Sequence, residues 1–310
     1  CLASRSAKMN CARHAAFRSR RCVRGISRAP SARLRRVENS AVKTALWRHL
    51  AATRRAAPVL AASPAEELAV SAHLAPRKRR NLSDPYTCSF VEPLVDLIEA
   101  RAFMIQSLLV DWAASVDSSS PLELILLGSG FDGRAFVPLS SEATSASSIA
   151  NSAWQRCRIW HLDTPRIVAQ RRRLFGTLPT ACAVSVELPC DLISWVGQSS
   201  CTSGFAKDYL HTCEALLPLL APGACVCIVL EGVLEYFPAS VGNQLLQLIR
   251  STFSVSSCKM CHVIAAVIDT VQLEKRLHDR APRGFVCYTS MHMLVQGYGN
   301  SSIIATFTNS

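Results

Sequence analysis

Five short apolar runs, each stopped by a glycine pair or followed closely by an acid, constrain this chain more than any other feature. Leu122–Leu127 runs straight into Gly128-Ser129-Gly130, and Cys157–Leu162 ends at Asp163. Ala181–Leu188 precedes Asp191, Ala224–Leu230 ends at Glu231, and His262–Ile268 ends at Asp269. Continuous apolar runs of this length suit strands buried on both faces of a parallel sheet. Helical patterns lie between them. Pro93–Trp112 places Leu94, Leu97, Ile98, Ile105, Leu108 and Leu109 on one stripe, and Arg166–Phe175 follows Pro165 at a helix start. Tyr209–Leu220 and Pro238–Arg250 read the same way, Ser302–Phe307 is a last strand candidate, and the Ser/Ala-rich segment 141–153 reads as a loop or insertion. The alternation predicts a doubly wound α/β sheet with helices on both faces. In such sheets ligands bind at the carboxyl ends of the strands. Gly128, Gly130, Asp163, Asp191 and Glu231 are therefore expected to share one rim.

Charge divides the chain in two. Residues 1–80 hold 19 of the 34 Lys and Arg but only three acids, a local charge of +16, whereas residues 81–310 carry −4. The folded part is thus expected to be mildly acidic, without the electrostatic footprint of a nucleic-acid binder. Residues 1–80 are expected to be a disordered basic extension. A transit-type segment, or translated sequence outside the true start, are the alternatives. No run of about 18 uninterrupted apolar residues exists, so no membrane-spanning helix is expected.

The 14 cysteines do not form a disulfide pattern. Cys182, Cys225, Cys227 and Cys261 sit inside apolar runs, where a thiol behaves as a small hydrophobe. Cys258-Lys259-Met260-Cys261-His262 matches a haem-attachment spacing, but His262 leads directly into a strand-like run. No second cysteine pair stands at zinc-site spacing, and no metal ligand is assigned.

Gly128-Ser129-Gly130-Phe131-Asp132-Gly133 satisfies G-x-G-x-x-G, a weak signal by itself. An acid after the second strand strengthens it, because a carboxylate there can accept both hydroxyls of a ribose. Asp132 would sit awkwardly beside a pyrophosphate and acceptably beside a sulfonium. Acids after four strands also favour a cation. S-adenosylmethionine is the leading cofactor on this chemistry, and a dinucleotide stays open.

Four ordered blocks then carry a resemblance: Ser83-Asp84-Pro85-Tyr86 to Phe90-Val91, Leu126–Phe136, Trp160–Pro165 and Leu230–Pro238. Together they resemble the leucine carboxyl methyltransferase family. The resemblance implies a class I methyltransferase fold over residues 81–310, S-adenosylmethionine as cofactor, and carboxyl O-methylation. It also implies, as partner, the C-terminal leucine of the protein phosphatase 2A catalytic subunit. Residue by residue it implies that Arg101 pairs with the cofactor's methionine carboxylate and Gly128 supplies the glycine-loop contact. Asp163 would hold the ribose, Asp191 and Leu192 the adenine side, and Glu231 the amino group. Departures are present. A family lysine before the Asp-Pro motif is Ser83 here, Gly232-Val233 and Arg134-Ala135 look closer to a bacterial small-molecule branch, and the chain stops near Phe307, as if truncated. Small-molecule or tRNA O-methylation, or a non-catalytic interaction protein, are the alternatives. No catalytic base is assigned, since a chain-terminal carboxylate is already ionised at neutral pH. His161 and His262 are poor candidates for one. A cytoplasmic monomer is expected, with organellar targeting left open.

Overall fold

The structure, a computed structural model, describes residues 32–54, 62–74, 91–139, 145–190, 216–234, 245, 249, 260–268, 291–297 and 302–307. The chain divides into two compact units, Cys1–Arg36 and Val37–Ser310. Only residues 32–36 of the first are described, and the second contains the sheet.

The element order is α1 (Ala32–Arg54), α2 (Pro64–His73), α3 (Val91–Ser115), β1 (Leu122–Leu127), α4 (Ser145–Arg156), β2 (Arg158–Asp163), α5 (Pro165–Phe175), β3 (Val184–Pro189), β4 (Cys225–Glu231), β5 (Met260–Ile268), β6 (Met291–Gly297) and β7 (Ser302–Phe307). The sheet order is β3-β2-β1-β4-β5-β6-β7. The first five strands pair in parallel, and β6 and β7 add as antiparallel strands at one edge. The 3-2-1-4-5 arrangement is the doubly wound, Rossmann-like layout, and its switch in strand order falls between β1 and β4.

Strand periodicity sorts β1 between two cores. Ile125 and Leu127 join Trp160, Leu162, Ile228, Leu230, Leu245 and Ile249 on one face. Leu122, Leu124 and Leu126 join Ile105, Leu109 and Trp112 of α3 on the other, with Ala150, Ala153 and Trp154 of α4. One acid interrupts the apolar run. Glu123 is 1% exposed and accepts from the Trp160 indole N–H at 2.7 Å and the Ala221 amide at 3.1 Å, with Arg158 at 3.2 Å. Burial of Glu123 is thereby matched by donors rather than avoided.

Two expectations change. The segment read as a loop holds α4. Its buried residues, Ser147, Ala150, Ala153 and Trp154, keep helical spacing, but small side chains hide that periodicity. Alanine is the best helix former, and small faces allow α4 to lie close on α3. The second change concerns the boundary expected at residue 80. Helices α1 and α2 contribute Val42, Ala45, Leu46, Ala65, Ala69 and Val70 to a core shared with Phe131, Ile167 and Phe175. The residues from Val37 that belong to these helices are therefore part of the fold.

Cys261 and His262 lie within β5, where the strand reading placed His262, while Cys258 falls outside the described residues. Cys182, Cys225 and Cys227 are buried. Strand β6 was not anticipated. Among the described residues no helix is long and apolar enough to cross a membrane.

Candidate functional site

The register of three adjacent strands sets the rim. Leu127 pairs with Leu162 of β2 on one side and with Leu230 of β4 on the other. Gly128 therefore leaves the sheet flanked by Asp163 and Glu231, one residue beyond each partner. Two strand spacings put those acids roughly 10 Å apart across the glycine turn. The expected shared rim is thus present for Gly128, Gly130, Asp163 and Glu231. Asp191 and Leu192 lie outside the described residues.

The turn after β1 is shaped by backbone rather than side chains. Gly128 (φ 66°) and Gly130 (φ 51°) both occupy the left-handed region. The amides of Gly128 and Ser129 donate to the Leu162 carbonyl at 2.8 and 3.2 Å, which ties the turn to β2. Asp163 holds it from below. Its Oδ2 accepts the Gly130 amide and its Oδ1 the Thr164 amide, both at 2.7 Å. Burial pushes the Asp163 carboxyl above its ordinary range, and the Gly130 and Thr164 amides offset part of that rise. A carboxylate offers about four lone-pair sites, and with the Thr164 side chain also bonded to Asp163 about one stays open.

Arg171 of α5 buttresses the same turn. It is fully buried, donates from Nη1 to the carbonyls of Gly130 and Asp132 at 3.0 Å each, and binds Glu187 through Nε at 2.9 Å. Its guanidinium lies 5.1 Å from the Phe175 ring centroid.

The Glu231 side of the rim is built from three arginines on three elements. Arg101 of α3 donates from Nε to Glu231 Oε1 at 3.1 Å. Arg134, just after the turn, donates to Oε2 at 2.5 Å, and Arg48 of α1 binds the same oxygen. Arg134 also pairs with Asp132 at 2.7 Å, and Arg48 with Asp132 at 3.1 Å and with Glu66 at 3.5 Å. Burial alone would raise the Glu231 carboxyl; Arg48, Arg134 and Arg101 together hold it well below its ordinary range. Asp132 is likewise held low, with Arg134 and Arg48 overcoming its burial. Gly232 (φ 66°) follows Glu231, and a Cβ there would stand 3.3 Å from Arg101 Nη1. The missing side chain lets the guanidinium lie against the backbone.

This geometry corrects the electrostatic expectation. The acids were expected to present negative charge to a cation, yet Asp132 and Glu231 are matched by arginines. Sequence reasoning missed Arg48 because it lies in the stretch set aside as an extension. Arg134 was quoted only as part of the motif, although an arginine two residues after Asp132 on a tight turn was a readable signal for a local pair. His161, named as a poor candidate base, is fully buried. Burial, then Arg171, hold its pKa well below its ordinary value, so it stays neutral.

The donor set is compatible with an adenosyl sulfonium cofactor at the level of lone pairs. Asp163 retains acceptor capacity, Glu231 Oε1 takes only one of the three arginine bonds described above, and Arg101 stands beside both Glu231 and the bare Gly232 backbone.

No family model matches the chain, and no curated protein matches it. Among solved structures it is similar to a "putative methyltransferase" from Thermobifida fusca YX, at 16% identity and a TM-score of 0.39, over 62% of this chain and 61% of that one. The chain thus spans about three fifths of that protein's length. It is also similar to a DUF574 family protein from Streptomyces avermitilis MA-4680, at 12% identity and a TM-score of 0.38, over 76% of this chain and 71% of that one. Neither likeness is close enough to carry chemistry across to this chain.

Proposed function

We propose that this protein is an S-adenosylmethionine-dependent O-methyltransferase with a carboxylate acceptor. The observation that carries the reading is the placement of Asp163 and Glu231 on either side of the Gly128–Gly130 turn, at the ends of β2, β4 and β1. The four sequence blocks resembling the leucine carboxyl methyltransferases support it. Asp163 would hold the ribose through its remaining acceptor capacity. Gly128 lets the backbone approach without a Cβ. Arg101 would pair with the methionine carboxylate and Glu231 with the amino group, while Asp191 and Leu192 would border the adenine. When bound, S-adenosylmethionine supplies an electrophilic methyl on a sulfonium.

The chain's own contribution is alignment. A peptide carboxylate has a pKa near 3.5 and is ionised at neutral pH, so no residue need remove a proton. Orientation in a site from which water is excluded then supplies the rate. The absence of an assigned base follows from the acceptor's chemistry. The acceptor implied by the resemblance is the C-terminal leucine of the protein phosphatase 2A catalytic subunit.

Calorimetry with S-adenosylhomocysteine on the whole chain tests the cofactor half. Binding is expected, weakened at least tenfold in Asp163→Asn; no binding by the unaltered chain refutes it. Transfer of labelled methyl to a peptide ending in leucine, and none to its amide, tests the acceptor half. Cofactor binding with an unlabelled peptide would refute the carboxylate acceptor alone. One observation favours a second reading, a binding module without turnover: Glu231 already carries three guanidinium partners. Cofactor binding without turnover on any acceptor would select it.

A further inference from the structure

Arg48 and Arg134 face more than the rim. Together with Ser63, Glu66, Ala102, Gln106, Gly133 and Val137 they line a cleft of about 40 Å³. Glu231, Asp163 and Arg101 do not line it. We propose that this cleft is a binding site for a single carboxylate group, carried by a small aliphatic acid and received by Arg48 and Arg134.

Size, donors and charge agree. A lone water needs roughly 10–15 Å³, so the cleft has room for a group of a few heavy atoms and none for a nucleoside. Arg48 is 8% exposed, and its Nε is buried with no acceptor among the described residues. The N–H groups of Arg48 and Arg134 beyond those bound to Glu66, Asp132 and Glu231 are the donors a carboxylate would use. Gly133 makes room for the Ser63 hydroxyl, because a Cβ there would stand 2.0 Å from Ser63 Oγ.

The charge balance adds a condition. Arg48, Arg101 and Arg134 face Glu66, Asp132 and Glu231, three against three. With Glu66 protonated, one positive charge is in excess. The groups facing Glu66 are Arg48 from α1, with Asp132 and Arg134 from the turn after β1; the lining residues of α3 are uncharged. Burial raises the Glu66 carboxyl to about 7, against the lowering by Arg48. Carboxylate binding is therefore accompanied by proton uptake at Glu66. The site does not depend on the methyltransferase reading, since none of its lining residues is assigned to the cofactor.

Calorimetric titration of the whole chain with acetate, acetamide and methylammonium, from pH 6 to 8 at constant ionic strength, tests it. Acetate is expected to bind and the other two are not. Acetate affinity is expected to fall about fivefold between pH 7 and pH 8, as the protonated fraction of Glu66 falls. At pH 7, heats in buffers of different ionisation enthalpy should reveal uptake of about half a proton. E66Q should bind acetate at pH 8 as tightly as the unaltered chain does at pH 6, and R48Q should not bind it. No acetate binding at any pH, equal binding of acetamide, or an unchanged pH profile in E66Q would each overturn the proposal.

Discussion

Arg171→Met isolates what holds the glycine turn. The stem of Arg171 is fully buried, and methionine replaces most of its volume, so the change is chiefly electrostatic. Two carbonyls of the turn, those of Gly130 and Asp132, lose a charged donor at 3.0 Å. Hydrogen bonds to charged groups contribute about 1.5–3 kcal/mol each. Glu187 loses its partner as well, but its side chain is 13% exposed. Partial rehydration keeps that penalty below the roughly 3–5 kcal/mol of a fully buried broken pair. Removing the desolvation cost of the buried guanidinium offsets part of this, leaving a net loss of about 3–5 kcal/mol, equivalent to a fall in Tm of roughly 6–20 °C. Urea denaturation followed by tryptophan fluorescence reads it. R171M/E187Q should recover about 1–2 kcal/mol, because no unpaired carboxylate is left behind. A loss below about 1 kcal/mol in R171M, or no recovery in the double variant, would show that the turn is held without this arginine.

Three further outcomes are expected. Glu66 is raised from 4.5 to about 7 in the fold, so the native state binds the extra proton in that window. Stability from this group is complete below the lower value and falls as pH rises to the upper one, by about 3 kcal/mol; E66Q should flatten that slope in urea titrations at pH 5 and 8. Glu231 is held low, so its contribution is present above the ordinary carboxylate range and is lost as pH falls through its depressed value; E231Q should weaken the acid limb and cost about 3–5 kcal/mol at pH 7 by removing the charge that Arg48, Arg101 and Arg134 share. Gly130→Ala puts a Cβ on a left-handed residue, 3.3 Å from the Ala41 Cβ, and should cost about 1–3 kcal/mol by chemical denaturation.

Strands were legible where both faces are apolar. Leu122–Leu127 and Ala224–Leu230 read as strands because a central parallel strand has no solvent face to encode. Their ends were legible for a related reason: a glycine or an acid after such a run breaks the apolar pattern abruptly. That is why the sequence alone places Gly128, Asp163 and Glu231 together. Helix α4 was not legible, because its Ser- and Ala-rich composition reads as low complexity even though Ser147, Ala150, Ala153 and Trp154 keep helical spacing. Strand β6, Met291–Gly297, sits between β5 and the edge strand β7, and its short apolar run between polar residues carries little signal.

Residues 37–54 and 62–74 were not legible for a deeper reason. Net charge is a sum over a segment, whereas burial is decided residue by residue. Helix α1 combines an apolar stripe, Val42, Ala45 and Leu46, with Arg48, and both are buried. Arg48 is tolerated there because its charge is returned by acids far away in sequence, Glu66 on α2, Asp132 after β1 and Glu231 after β4. No local window contains those partners, so the segment reads as solvated basic chain. A buried guanidinium without them would be costly, and with one of them removed it would be costlier than an apolar side chain in its place. The same physics makes Arg48 informative. A cation drawn 183 positions along the chain to meet Glu231 links the stretch that charge counting discards to the rim that strand reading finds. R48M should therefore cost more in the unaltered chain than in the E231Q background, and additive losses would refute that link.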